Sequence, residues 1–234
     1  MRCRWCHNPE SQEWTVEEII REKRMDGKLY EKKSAVGSWQ SAEEVISEID
    51  KDLVFYQESH GGVTFSGGEP LMQPDFLVEL LELCRERGYH TAVDTCGHAE
   101  PAMLKRVMDK TDLFLYDLKL LDDAKHVKYT GLSNELSIKN LEMIARIGKE
   151  VIIRFPVIPG ITDCQDNLEG VSALMKKLGL KKIDLLPYHT IGKEKYRKLK
   201  REFLIEGVIG PTEERMKELF AYFEERSFIV NIGG

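Results

Sequence analysis

The sequence predicts an α/β protein, a partial parallel (β/α) barrel of about six units, and three observations predict it. Short, near-continuous apolar segments alternate with amphipathic helical ones along most of the 234 residues, the pattern of parallel strands joined by right-handed helical crossovers. Only five or six such strands can be found, fewer than the eight that close a full barrel. Strand after strand also ends in a charged or polar group, as happens where such barrels assemble a site on their C-terminal rim. The competing architecture, an open doubly wound sheet, has a G-x-G-x-x-G phosphate loop after its first strand. Here the corresponding strand runs into Ser66-Gly67-Gly68-Glu69-Pro70 instead.

Each element has its own local reason. Residues 12–38 form a poorly patterned insertion without cysteine. Within it, residues 15–25 are expected to make a short helix with Val16, Ile19 and Ile20 inward, and the Lys- and Glu-rich residues 27–38 a solvated loop. Ser41 and Glu44 have the spacing of a capping box, with Val45, Ile46, Ile49 and Leu53 on one helical face behind it. Strands follow at 63–65, 91–93, 113–116, 151–155, 183–186 and 228–232. The helices between them are marked by Pro74 with Phe76, Leu77, Leu80 and Leu81, by Pro101 with Leu104, Val107 and Met108, and by Ile138, Leu141, Ile144 and Ile147. Leu168, Val171, Leu174 and Leu178 mark the next, and Met216, Leu219, Phe220 and Phe223 the last. Gly88, Gly148 and Gly179 punctuate three helix ends, and residues 193–210 read as irregular.

Composition narrows the function. With 42% hydrophobic residues the chain has ample material for one core, so 1–234 is read as a single domain. A net charge of −6 speaks against nucleic acid as a partner. No apolar run reaches the roughly 20 residues of a bilayer span, so no membrane role is expected. Five cysteines without framework spacing suit a reducing cytoplasm.

The chemistry concentrates in two places. Cys3 and Cys6 form a C-x-x-C beside Trp5, and thiolates are soft ligands suited to iron–sulfur clusters or zinc. Cys84, Cys96 and Cys164 are single and scattered, so no second pair completes a zinc site; they read as small core residues. The strand ends supply Glu69, Asp94-Thr95, Asp117 with Lys119, Arg154 and His189. A lone Asp after a strand is usually a helix cap, but five such groups in register describe a pocket. Lys119 and Arg154 suit a carboxylate, and Glu69 with the glycine-turn carbonyls suits an ammonium, so the ligand expected is a zwitterion. His7, His60, His90, His98 and His126 carry no such signal.

The ordered set C-x-x-C-H-N, S-G-G-E-P, D-T-C-G, Y-D-L-K, T-G-x-S-N, I-R-F-P-V-I-P-G and L-L-P-Y-H resembles the activating enzymes of glycyl radical enzymes, of the pyruvate formate-lyase activating type within the radical S-adenosylmethionine superfamily. The resemblance runs from Cys3 to about Gly210. It implies a [4Fe–4S] cluster held by C-x-x-x-C-x-x-C, with one iron open to the amino and carboxylate groups of S-adenosylmethionine. It implies reductive cleavage to a 5′-deoxyadenosyl radical, which takes hydrogen from a glycine of the partner. By motif position Cys3 and Cys6 are the second and third cluster ligands, Trp5 lies beside the adenine, and Gly67, Gly68 and Glu69 hold the methionyl amine. Lys119 and Arg154 lie near the carboxylate and His189 near the nucleoside. Asp94, Thr95 and Asp117 match a monovalent-cation site. A flavodoxin or ferredoxin is the implied electron donor, because residues 12–38 lack the extra cluster cysteines many relatives carry there.

The match departs at its start. The family's first cysteine and first barrel strand fall ahead of Met1, so the expectation is an early truncation, with no intact cluster and little activity in the chain as it stands. Two rival readings remain: a Schiff-base aldolase-type barrel using Lys119, which needs a depressed amine pKa, and a cluster-free module that docks a large partner.

Overall fold

The computed structural model describes residues 1–13 and 15–233, and its core is a six-stranded all-parallel sheet in which every strand pairs with the next in the chain. The strands are β3 (Gly62–Phe65), β4 (His90–Thr95), β5 (Leu113–Asp117), β6 (Glu150–Val157), β7 (Lys182–Pro187) and β8 (Ile229–Ile232), in spatial order β3-β4-β5-β6-β7-β8. The fold is thus the open, partial barrel expected. Helices α3 (Pro74–Glu86), α4 (Pro101–Met108), α5 (Asp123–Thr130), α6 (Glu135–Arg146), α7 (Gln165–Leu178) and α9 (Glu213–Glu224) form the crossovers, with a short α8 (Lys193–Lys198) ahead of α9.

Burial explains the pattern. Val93, Phe114, Ile153, Phe155, Ile183 and Leu185 of the strands are fully buried against Leu81, Leu104, Val107, Leu141, Ile144, Val171 and Phe223 of the helices. The helix faces are therefore apolar at three- and four-residue spacing, and a parallel sheet covered this way reads as continuous apolar runs. Ile147, grouped with the apolar face of α6, is instead half exposed just past the helix end.

Ahead of the sheet stand α1 (Ala42–Ile49) and α2 (Leu53–Ser59). The capping box forms: Ser41 accepts from the Glu44 backbone N–H and the Glu44 carboxylate accepts from the Ser41 N–H, at 3.2 and 2.7 Å. Ile46 is buried, but the helix breaks after Ile49 and Leu53 begins the next one, more than a third exposed.

The insertion departs from expectation. No helix forms at 15–25 and no loop at 27–38; instead β1 (Glu17–Met25) and β2 (Lys28–Val36) pair in antiparallel register from Glu17↔Val36 to Met25↔Lys28. The cause is the turn. Asp26 and Gly27 both have positive φ, 50° and 74°, the two-residue Asp-Gly hairpin geometry whose twist suits the flanking strands. Val16 is exposed and Ile19 half-buried; the side chain of Ile20 lies outside the described residues. Two further helices were not expected. α5 packs polar groups inward, with His126 and Thr130 buried, and α8 interrupts residues 193–210.

Candidate active site

All twelve side chains or turns named from the sequence line one cavity of about 940 Å3 at the C-terminal rim of the sheet. Cys3, Trp5, Cys6, Gly67, Gly68, Glu69, Asp94, Thr95, Asp117, Lys119, Arg154 and His189 converge there, drawn from the N-terminal loop and five successive strand ends. Parallel pairing is the reason: Asp94 and Leu115 are partners in register, as are Asp117 and Arg154, so strand-end residues of neighbouring strands emerge at one height. Val16, Trp39 and Met72, all substantially exposed, also line the cavity.

The polar wall is organised as three tethered groups. Asp94 Oδ2 accepts from Arg154 Nη1 at 2.7 Å and from Ser66 Oγ at 2.9 Å. Burial, and then the neighbouring Asp117, raise the Asp94 carboxyl above its ordinary pKa, with Arg154 opposing. Lys119, 7% exposed, donates to Asp117 Oδ2 at 2.8 Å. Burial pulls its ammonium down, but Asp117 and the thiols Cys3 and Cys96 more than offset this, and the net direction is up. Glu69 is held at both oxygens. Oε1 accepts from Thr95 Oγ1 at 2.5 Å and the Leu71 N–H at 3.2 Å, and Oε2 from the Cys96 N–H at 2.9 Å and its thiol at 2.7 Å. Glu69 therefore ties the glycine turn to the end of β4, and the Thr95 hydroxyl is committed to it as well.

The cysteine loop is pinned from two sides. The Arg2 and Arg4 N–H groups donate to Thr130 and Tyr129 carbonyls at the end of α5, at 2.8 and 2.9 Å, and the Cys6 N–H closes a turn onto Cys3 at 3.1 Å. Trp5 is buried with Leu120, Ile158, Tyr188 and Tyr196, and both thiols pack against that cluster. Asn8 Nδ2 donates to the Gly67 carbonyl at 3.3 Å, joining this loop to the glycine turn. Burial pushes the Cys3 thiol up, against the pull of Lys119.

Two groups escaped the sequence reading. His7 lines the cavity and stacks on His189, ring centroids 4.3 Å apart; burial and then His189 lower its pKa. Cys96 is the thiol on Glu69. The H-N that follows the cysteines was the available signal for His7, while nothing local to Cys96 announced its partner 27 residues earlier.

The geometry defines a class: a partial barrel with two thiols, carboxylates and cations gathered on one rim. The family model for the radical SAM superfamily matches residues 1–169, and the chain belongs to that superfamily; it is a radical SAM oxidoreductase. It belongs within it to the activating enzymes. It is 36% identical to the trans-4-hydroxy-L-proline dehydratase activating enzyme of Clostridioides difficile, over all of this chain and 90% of that protein. It is 34% identical to the pyruvate formate-lyase-activating enzyme of Clostridium pasteurianum, over 96% of this chain and 86% of that one. A crystal structure of a domain of pyruvate-formate lyase-activating enzyme from Bacteroides vulgatus superposes with a TM-score of 0.63 at 32% identity, covering 74% of this chain and 99% of the other.

The family's cofactors are S-adenosylmethionine and a [4Fe–4S] cluster. The residues present fit the first. Arg154 Nε and Tyr188 Oη are buried without a protein partner, both residues line the cavity, and a carboxylate or hydroxyl would satisfy them. For the second, Cys3 and Cys6 bring two free thiols to the cavity wall. Among the described residues no three His, Cys, Asp or Glu side chains converge to hold a metal ion.

Proposed function

We propose that this protein is an activase that installs the radical on a glycyl radical enzyme. The observation that carries the reading is the convergence of five strand-end groups and the cysteine loop on one rim, in a chain whose relatives are activating enzymes. The family's chemistry is reductive cleavage of S-adenosylmethionine to a 5′-deoxyadenosyl radical, and the cofactor carries that chemistry while the protein positions it. This chain's own residues do the positioning. Arg154 and Lys119 present cations to the methionyl carboxylate, and the Gly67 and Gly68 turn faces the amine. Glu69, spent on Thr95 and Cys96, holds that turn in place. Trp5 and the His7–His189 stack flank the nucleoside. Cys3 and Cys6 supply two cluster thiolates. Asp94 and Asp117, two carboxylates close enough to disturb one another, set a negative excess beside the cofactor that the sulfonium itself offsets, or a monovalent cation when no sulfonium is bound. The partner's glycine enters past Val16, Trp39 and Met72, and an external flavodoxin or ferredoxin supplies the electron.

The Schiff-base alternative loses support from the pairing of Lys119 with Asp117, which holds the amine protonated, whereas an imine-forming lysine needs its free base.

The test uses residues 1–234 and a version extended by a cysteine at the C-x-x-x-C spacing ahead of Cys3. Residues 1–234 are expected to bind S-adenosylmethionine by calorimetry, yet to hold fewer than about four irons per chain after anaerobic reconstitution. The extended version should reach that iron content, release 5′-deoxyadenosine on reduction and give a glycyl radical spectrum in one of a panel of glycyl radical enzymes. Loss of cofactor binding, or a fully loaded extended protein that cleaves no S-adenosylmethionine, would overturn the reading.

A further inference from the structure

The segment after β7 breaks with the charge balance of the rest of the molecule. Residues 193–201 carry Lys193, Lys195, Arg197, Lys198, Lys200 and Arg201 against Glu194 alone, in a chain whose net charge is −6. The remainder is thus more acidic than the total suggests, and the cations are gathered on one short helix and its exit.

That helix is fastened to the cysteine loop. Tyr196 is buried on its inner face, packs edge-on to Phe203 with ring centroids 5.1 Å apart, and belongs to the cluster that holds Trp5, with Cys3 and Cys6 against it. Lys195 Nζ donates to Asn8 Oδ1 and to Glu10 Oε1, both at 2.7 Å. Arg201 donates to the Pro9 carbonyl. A Cβ on Gly192 would stand 3.2 Å from His7 Cα and 3.3 Å from the Cys6 carbonyl oxygen, so the start of the helix lies directly on the loop. Lys195 and Arg201 are consumed by this fastening. Lys193, Arg197 and Lys200 are exposed. Glu194 ion-pairs with Arg197 at 2.8 Å and reaches Lys198 at 3.7 Å, and with that one carboxylate counted residues 193–201 keep a net charge of +5.

A positive patch on an acidic protein attracts an anionic partner from a distance and orients it, while the remaining surface repels that partner. Its position selects which anion. The patch lies against the loop that carries Cys3 and Cys6, with Gly192 on His7 and Cys6 and Lys195 on Asn8 and Glu10. Nucleic acid is disfavoured by the acidity of the rest of the chain. We propose that the outer face of α8 is the docking surface for a small acidic electron-carrier protein, an inference that rests on the activase reading above.

The experiment uses purified flavodoxin as the probe and residues 1–234 as the receptor. Binding is measured by calorimetry at about 50 mM and about 300 mM salt, since screening lengths shorten across this range. Wild type should bind, and more weakly at the higher salt. The triple variant Lys193→Glu, Arg197→Glu, Lys200→Glu should lose at least tenfold in affinity and most of the salt dependence. The variant Arg24→Glu, Lys28→Glu, Lys32→Glu, which alters net charge equally on the hairpin, should bind as wild type does. Circular dichroism confirms that both variants fold. The proposal fails if wild type does not bind, if its binding ignores salt, if the two triple variants behave alike, or if a short single-stranded RNA outcompetes flavodoxin. S-adenosylmethionine binding, measured on the same samples, separates the two readings. Its absence sinks the activase reading, whereas its presence without flavodoxin binding sinks only the docking surface.

Discussion

Gly97 closes the turn after β4, and replacing it with alanine is the sharpest perturbation the fold offers. Its φ is +65°, and a Cβ there would collide with the Tyr116 hydroxyl and Cζ and stand 2.8 Å from Cε2. Tyr116 is fully buried, and its hydroxyl donates to the Ser137 carbonyl at 2.6 Å. The left-handed backbone alone costs an alanine about 1–2 kcal/mol. Displacing the ring adds about 1–3 kcal/mol of overpacking, and losing the buried hydrogen bond about 1–3 kcal/mol more. The sum, about 3–8 kcal/mol, takes a large share of the roughly 5–15 kcal/mol a domain possesses. At about 2–4 °C per kcal/mol for a chain of this size, the melting temperature should fall by roughly 6–32 °C. Urea unfolding of Gly97→Ala, Tyr116→Phe and the double variant forms a cycle. Removing the hydroxyl relieves part of the collision, so the double variant should be about 1–2 kcal/mol more stable than additivity gives. A Gly97→Ala protein within about 1 kcal/mol of wild type, or strict additivity, would refute this account of the turn.

Two other perturbations probe the cavity wall. Asp117→Asn removes the counter-charge of Lys119. Because Asp117 is 31% exposed, the loss should be about 1–3 kcal/mol, below the full cost of breaking a buried pair. The pH dependence fixes the sign: in wild type the raised Lys119 value keeps its stabilisation throughout the accessible range, since it fades only as pH climbs through the folded value. In the variant burial dominates and the folded value drops below the unfolded one; stability then increases with pH, and the gap to wild type should narrow between pH 7 and about 10. A gap in urea unfolding that stays constant or widens contradicts this. Asn167→Ala should cost about 2–4 kcal/mol, because Asn167, buried, donates to the Lys119 and Thr162 carbonyls at 2.9 and 2.8 Å and accepts from the Leu121 N–H at 2.9 Å. Unfolding within experimental error of wild type would show that water replaces those contacts.

The sheet and the rim were legible because each rests on a local rule. Apolar runs bounded by glycine and proline give the strands, and polar groups at their ends give the site. Elements without an apolar signature were not legible. The hairpin has most of its described β2 side chains in solvent, so no alternation marks it; only Asp26-Gly27 could have done so. Helix α5 turns His126 and Thr130 inward, where their hydrogen bonds to one another and to the Leu132 carbonyl satisfy them, and a polar inner face defeats periodicity. Helix α8 buries Tyr196 alone among its six residues. Long-range partners were invisible for a different reason. The stack of His7 on His189 joins the N-terminal loop to the end of β7, and the hold of Cys96 on Glu69 joins the ends of β4 and β3; only the folded sheet brings either pair together.

The charges of the cavity show why its ligand should be a cation overall and not merely a zwitterion. Glu10 and Glu13 also line the cavity but are paired with Lys195 and Arg2, which leaves Glu69, Asp94 and Asp117 against Lys119 and Arg154, one negative charge in excess when all are ionised. The tension registers at Asp94, whose carboxyl burial and Asp117 push upward despite Arg154. A neutral amino acid would bring one ammonium and one carboxylate and leave the excess uncorrected in a partly buried site, where an uncompensated charge is costly. A sulfonium adds the missing positive charge without adding a hydrogen-bond donor that the wall would have to satisfy. S-adenosylmethionine meets that demand, and its demethylated thioether counterpart, one methyl group and one charge short, does not. Electrostatics of the wall, independent of any cluster, therefore favours the intact sulfonium over methionine and 5′-deoxyadenosine, the uncharged pair that its reductive cleavage leaves.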